Sequence, residues 1–367
     1  MTQEIGVGTL QDWLARKKPV TVLDVRHVED REQWWIPGSR HVDAYKSLKE
    51  GSAGPLLDTS VPPDQPVVTV CGSGRVSLSA AKMLNEKRGI PALSLHGGMK
   101  AWSLAWNTAS RLFAAVEITQ VRRTGKGCLS YLIRSGSAAA VIDPSVEPEV
   151  YLSLVSSSRA SIRYVLDTHL HADHLSRARR LAEMCGADLI LPRQDRLRYP
   201  HRRVAGGDKL TLGATSIKVL STPGHTGESV TYLVPAAGIF SGDTLFLAGV
   251  GRPDLHAGGT EAETRARQLF GSLARLVSLD EGLMVFPGHT SEPVPFDGKV
   301  LTASIGEVAG RLGGWLASED AFVARILARI PPAPPNYLVI SQLNERGEWP
   351  ESDPTDLEAG ANRCAVS

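Results

Sequence analysis

What this 367-residue chain has little of narrows it first. It has only four cysteines, at positions 71, 128, 185 and 364, scattered and with no CxxC pair, which suits a reducing cytosol better than a disulfide framework. Neither sign of charge dominates: 40 Lys and Arg stand against 39 Asp and Glu, a formal net charge of +1. That balance argues against a nucleic-acid partner held by bulk electrostatics. No apolar run is long enough to span a bilayer, and Met1 to Gly6 has neither a basic stretch nor an apolar core of a secretory leader. The expectation is a cytoplasmic protein that engages no membrane. No internal repeat or low-complexity segment is present. The length allows two domains with real cores.

What the chain does have is a cluster of metal-competent side chains. Thr168-His169-Leu170-His171-Ala172-Asp173-His174 directly follows the apolar, β-branched run Ile162 to Leu166, which reads as a buried strand. Leu175 to Cys185 has helical composition, so the cluster lies in a strand-to-helix loop, a common place for sites on α/β scaffolds. In an extended turn alternate residues project together, so His169 and His171 converge on one ion, with Asp173 and His174 facing a second position. One loop cannot close a coordination sphere. His225 in Ser221 to Gly227, Asp243 in Phe240 to Leu245 and His289 in Phe286 to His289 complete it. Each follows a strand-like run beside glycine, where the backbone turns sharply. Seven candidates all placed at strand ends indicate a metal site.

Before this cluster lies a separate unit, residues 1–107. It opens with a helix-like Gly8 to Arg16 and a buried strand, Val20 to Asp24. A loop follows with Asp24-Val25-Arg26, Trp34-Trp35 and Ile36-Pro37-Gly38. After a Gly/Pro-rich connection, Gly51 to Pro66, a second strand, Val67 to Val70, ends at Cys71, and a helix runs on through Ala80 to Asn85. In Cys71-Gly72-Ser73-Gly74-Arg75 the glycines let successive amides curl towards the sulfur. The helix dipole and Arg75 add positive potential there. The arrangement favours a thiolate and an anion at Cys71; the competing reading is a buried structural cysteine. Cys128 and Cys185, in apolar contexts, read as structural, and Cys364 as exposed.

This unit resembles a single rhodanese (sulfurtransferase) module. The resemblance rests on Leu23-Asp24-Val25-Arg26, Ile36-Pro37-Gly38, the Cys71 loop, and Leu95 to Trp102. It implies that Cys71 carries a persulfide while the loop amides and Arg75 bind the anionic donor or acceptor. Trp35 stands where a His usually precedes Ile-Pro-Gly, and Gly72 and Val76 stand where basic or polar residues are common. A loop with one arginine implies a weak thiosulfate donor.

Residues 108–346 read as a second domain. Strand-like runs are Ala115 to Val121, Ser130 to Arg134, Ala138 to Ile142, Ile162 to Leu166, Asp188 to Leu191, Lys209 to Leu212, Ser216 to Leu220, Val230 to Val234 and Leu283 to Phe286. Helical runs are Glu149 to Leu154, Ser176 to Cys185, Glu261 to Val277 and Ser318 to Arg329, the last with Ser318 as N-cap. Two mixed sheets covered by helices are expected. Residues 347–367, rich in Pro, Asp, Glu and Gly, read as a flexible tail.

The His169-x-His171-x-Asp173-His174 motif, with His225, Asp243 and His289 in order, resembles the metallo-β-lactamase superfamily. The resemblance implies an αββα sandwich, so the fold class expected is α/β, a rhodanese domain followed by a metallo-β-lactamase sandwich. That superfamily hosts several reactions. Ser241 to Phe246 leading into Gly249 to Gly251 and Arg252-Pro253-Asp254, with Gly127 to Tyr131 and Pro334 to Tyr337, resembles its persulfide dioxygenase branch.

The resemblance implies one Fe(II) per chain, held by His169, His225 and Asp243, with His171, Asp173, His174 and His289 standing behind the ligands or holding a second metal. Such a two-His, one-carboxylate face leaves room for a persulfide sulfur and O2. Two zinc ions would instead activate water for thioester hydrolysis. Arg252 and Asp254 read as a pocket edge. Arg177, Arg179, Arg180, Arg193, Arg196, Arg198, Arg202 and Arg203 read as either a solvated face or a rim for the carboxylates of a glutathione-like carrier.

Together these features imply a bifunctional enzyme. It oxidises a low-molecular-weight persulfide of glutathione type with O2 to sulfite, and it moves sulfane sulfur through Cys71 to or from sulfite and thiosulfate. The alternatives are a dinuclear zinc thioester hydrolase resembling glyoxalase II with an attached rhodanese, or a non-enzymatic persulfide carrier or sensor. A homo-oligomer is compatible with either.

Overall fold

A computed structural model describes residues 4–235, 237–360 and 362–366. The first sheet is parallel throughout, in the order Glu4–Ile5, Ala92–Leu95, Val67–Val70, Thr21–Asp24, Arg40–His41. Its central strands, Val67–Val70 and Thr21–Asp24, are largely apolar and buried along their whole length, as strands covered on both faces are. Their carboxyl ends deliver Cys71 and the Asp24–Arg26 ion pair, the usual place for a site in an open parallel sheet.

The second unit is a sandwich of a seven-stranded and a six-stranded mixed sheet. The first runs from Arg202–Val204 at one edge to Asn107–Leu112 at the other. The second runs from Lys209–Leu212 to Ala303–Ser304. Ile133, Ile142, Tyr164 and Leu166 from one sheet meet Ile217, Val219, Tyr232 and Phe286 from the other in a single core. Phe240 stacks on Phe286 at 4.8 Å, and Tyr131 meets both rings edge-on. Helices Pro148–Ser156 and Ala178–Cys185 cover one outer face; Thr260–Val277, Ile305–Leu312 and Glu319–Ala328 cover the other. The αββα sandwich expected from the motifs is the architecture found.

Some elements escape the sequence pattern. The strand Asn107–Leu112 and the helices Ile305–Leu312 and Tyr337–Arg346 were not anticipated. Ile305–Leu312 starts at Ser304 with a full capping box to Glu307. Ser318, the expected cap, makes no side-chain cap bond.

The larger correction concerns residues 347–367, expected to be a flexible tail. Apart from Ala361 and Ser367, which lie outside the described residues, the segment folds back onto the sandwich. Thr355–Glu358 forms a short helix and Ala365–Val366 pairs antiparallel with Val250–Gly251. Glu358 explains why a polar segment docks. Its carboxylate is 0% exposed, 2.5 Å from Arg177 Nη1 and 3.1 Å from Arg123 Nη2, both arginines equally buried. Lys126 donates to the Glu358 carbonyl at 2.9 Å. The buried cations need an anion, and the tail supplies it. Cys364, expected to be exposed, is therefore buried.

The two units are fastened together. Trp34 donates its indole N–H to the Thr124 carbonyl at 2.9 Å, and Arg123 Nε donates to the Ser103 carbonyl at 2.7 Å. Gly125 lies so close to the first unit that a Cβ there would sit 1.8 Å from the Trp102 carbonyl oxygen. Among the described residues no helix is long and apolar enough to cross a membrane.

Candidate metal centre

All seven residues singled out in the sequence are buried in loops that follow strand ends. They do not gather equally. The donor atoms of His169, His225 and Asp243 lie within 4.8 Å of one another. Asp243 Oδ2 is 4.0 Å from His169 Nε2 and 3.7 Å from His225 Nε2. His169 Nε2 and Asp243 Oδ2 are buried with no hydrogen-bond partner. Orphaned buried donors aimed at a common point are costly unless something binds them, so two imidazoles and a carboxylate here fit a divalent metal.

The other ring nitrogens are spoken for. His225 is held through Nδ1 by the Arg252 carbonyl at 2.8 Å. His169 Nδ1 meets Thr168 Oγ1 at 2.9 Å, and that hydroxyl donates to Asp143 Oδ2 at 2.9 Å. Contacts of this kind fix ligand tautomer and orientation. Glycines let the elements close in: a Cβ on Gly288 would lie 2.6 Å from Asp243 Oδ1, and one on Gly251 would lie 1.8 Å from the Asp243 carbonyl oxygen.

His171 joins Asp143, whereas Asp173, His174 and His289 form a network of their own. His171 Nε2 turns to Asp143 Oδ1 at 3.2 Å. Asp173 accepts from His174 Nδ1 and His289 Nε2, each at 3.0 Å, and from Asn362 Nδ2 at 2.9 Å. His289 reaches Asp243 Oδ1 through Nδ1 at 2.6 Å, so this ring links the network to the three-ligand cluster. Burial disfavours charge on His289, but Asp243 and Asp173 outweigh it and hold the imidazolium well above its ordinary range. Nδ1 of His171 and Nε2 of His174 remain unpartnered.

Cys128 is corrected from a structural cysteine to a member of this network. Its thiol lies 3.5 Å from Asp173 Oδ2 and 3.8 Å from His174 Nδ1. Burial and Asp173 raise its pKa, yet His174 and His289 prevail and draw it down to about 6. His174 is pushed up to about 10, since Asp173 and Cys128 overcome its burial. Asp143 was also missed. It ends the apolar strand Ala138–Ile142 and takes φ 51°, rare for a non-glycine residue, to accept from the Thr168 amide at 2.7 Å. The strand-end signal that marked Asp243 was present there too. Nothing in the composition of the tail marked Asn362.

Arg252 and Asp254 form a bidentate pair, both contacts 2.8 Å. Arg252 also donates to the carbonyls of Pro332 and Arg363, so it helps pin the tail. Of the arginine group, Arg177 serves Glu358, Arg179 pairs with Glu183, Arg180 with Glu147, and Arg196 with Glu228 and Glu345.

In the first unit Cys71 is buried, with the Ser77 hydroxyl 3.4 Å from its sulfur. The carbonyls of Cys71 and Gly72 accept from the amides of Met99 and Lys100, at 2.8 and 2.9 Å. The amides of Gly72, Ser73 and Gly74 meet no acceptor among the described residues. Gly74, at φ 89°, caps the fourteen-residue helix Arg75–Arg88, and Arg75 is exposed at its start. The loop has the free amides an anion would need.

Comparison with known proteins finds two family matches. Residues 7–105 match the rhodanese-like domain and residues 123–289 the metallo-β-lactamase superfamily. Hydroxyacylglutathione hydrolase of Anaeromyxobacter dehalogenans is 38% identical over 169 residues, 46% of this chain and 63% of that protein. The enzyme of the same name from Rhodospirillum rubrum is 36% identical over 164 residues, 43% of this chain and 60% of that one. The chain thus spans about three-fifths of the length of these curated relatives.

Among solved structures, ETHE1 from Myxococcus xanthus superposes with a TM-score of 0.55 at 28% identity, covering 63% of this chain and 99% of that one. A metallo-β-lactamase from Staphylococcus aureus gives 0.58 at 25% identity, covering 65% and 75%. The chain joins a rhodanese-like domain to a metallo-β-lactamase-fold domain with a buried metal-competent centre.

Proposed function

We propose that the second domain oxidises a low-molecular-weight persulfide, glutathione persulfide foremost, and that the first passes sulfane sulfur through Cys71. The observation that carries this reading is the separation of donors. His169, His225 and Asp243 bring their donors around an Asp243 oxygen that has no hydrogen-bond partner, while Asp173, His174 and His289 are tied to one another and, through His289, to the other Asp243 oxygen. That division favours one ion with open positions over two ions sharing a water. Iron at the three-residue cluster supplies electron exchange with O2, which zinc cannot.

The balance is RSSH + O2 + H2O → RSH + SO3²⁻ + 2H⁺: four electrons leave the outer sulfur for O2, and the S–S bond breaks. This chain's residues do the rest. Asp243 is fixed by His289, and His225 by Arg252, so the ligand face stays rigid. Cys128, His174 and His289 supply proton-carrying groups beside it. In the first domain a Cys71 persulfide meets sulfite: Cys–S–SH + SO3²⁻ → Cys–SH + S2O3²⁻. The free loop amides and Arg75 hold the dianion.

A second reading, thioester hydrolysis on two zinc ions, is favoured by the name of the curated relatives and by the unpartnered His171 Nδ1 and His174 Nε2. An oxygen electrode separates the two. O2 uptake on adding glutathione persulfide, with one sulfite formed per O2, supports oxidation. No uptake together with hydrolysis of S-lactoylglutathione would replace it with the second reading.

A further inference from the structure

A cavity of about 550 Å³ lies where the two domains and the tail meet. Its inner end is His289, whose Nδ1 touches the candidate ligand Asp243 at 2.6 Å. Its outer part carries Gln33, at the end of the first-domain helix Val28–Gln33, and Arg363 from the tail. A second void beside His169 and His171 holds only about 10 Å³, space for a water at most. Of these two voids only the interdomain cavity has room for a substrate, and it reaches the centre at His289.

The charges in this cavity are uncommitted. Arg363 pairs with no carboxylate among the described residues; its guanidinium touches only the Gln33 side-chain carbonyl, at 3.4 Å. Glu292, which also lines the cavity, has no cationic partner among the described residues. Between them Leu129, Phe246 and Leu301 give an apolar floor. One free cation, one free anion and an apolar floor, in a volume typical of a small-ligand site, complement a zwitterionic peptide thiol.

We infer that the thiol carrier binds in this interdomain cavity, a carboxylate on Arg363 and an ammonium at Glu292, with Gln33 of the rhodanese-like domain forming part of its wall. The inference rests on the persulfide reading and deepens it: the first domain shapes the second domain's substrate site as well as carrying Cys71.

The test uses the full chain with its metal and S-methylglutathione, a probe that cannot be turned over, in calorimetric titration. The wild type binds one per chain. Arg363→Gln weakens binding about tenfold and Arg363→Lys recovers part of it, as loss and partial return of a charge-assisted contact require. Gln33→Trp, a change on the first domain's exposed surface, weakens binding about tenfold by filling the mouth, with metal content unchanged. Wild-type binding that neither Arg363→Gln nor Gln33→Trp alters overturns the inference, as does a wild type that does not bind the probe. The readout is independent of O2 uptake. Arg363-dependent binding with no oxidation of glutathione persulfide keeps the cavity assignment and removes the dioxygenase reading.

Discussion

The two reactive centres of this chain are assembled in different ways. Cys71 and its amides come from one strand-to-helix loop, braced by the neighbouring turn at Gly97 and Gly98. The metal centre draws on residues from Cys128 to Asn362, delivered by both sheets and the tail. A local loop depends on backbone conformation, so side-chain changes elsewhere leave it intact. A centre spread across the domain depends on every element that carries a donor, and on the contacts that dock those elements.

The contrast predicts how each centre breaks. The largest effect belongs to a ligand: His225→Ala loses the metal and leaves below ~1% of O2 uptake, while sulfur transfer through Cys71 persists. Metal analysis and an oxygen electrode check the first part, and thiosulfate formation from sulfite checks the second. Cys71→Ser gives the converse, transfer at background with O2 uptake within about twofold of the parent, since well-separated sites act independently. Loss of both activities in either variant would erase the distinction.

The tail sharpens the comparison. Glu358→Gln leaves two buried arginines without their anion and costs ~3–5 kcal/mol, read as a lower thermal midpoint. Burial opposes the charged carboxylate, but Arg123 and Arg177 outweigh it and hold Glu358 well below the usual carboxylate range. Its stabilisation is then full above the unfolded pKa of about 4.3 and lost as pH falls towards the depressed folded value. The gap between parent and Glu358→Gln, wide at pH 7, narrows below about pH 4. A gap that instead widened in acid would contradict the pairing. The smallest effect is Asn362→Ala, which loosens Asp173 and through His289 the ligand Asp243. Metal affinity falls about tenfold, measured by competition with a chelator, with folding retained.

The same contrast explains what could be read from the sequence. Candidate ligands after apolar strands were easy to find, because a histidine or aspartate beside glycine at the end of a buried run has few other uses. The Cys71 loop was legible for the same reason. Cys128 was misread because its partners, Asp173 and His174, are 45 and 46 residues away, and an apolar context looks structural until they are placed. The tail was misread because composition reports average hydrophobicity. A polar segment docks when one acid, Glu358, answers cations buried by distant strands. Asp143 followed the strand-end rule and was passed over because it stands alone, without a second candidate nearby in the chain.

The central claim is that one metal, held by His169, His225 and Asp243, sits in a centre whose remaining histidines and carboxylates are tied to each other. Its most direct test is the metal content of protein purified without air after growth with both iron and zinc supplied. The account predicts about one iron per chain, lost in His225→Ala and retained in His171→Ala. Two zinc ions per chain, with one lost in His171→Ala, would contradict it.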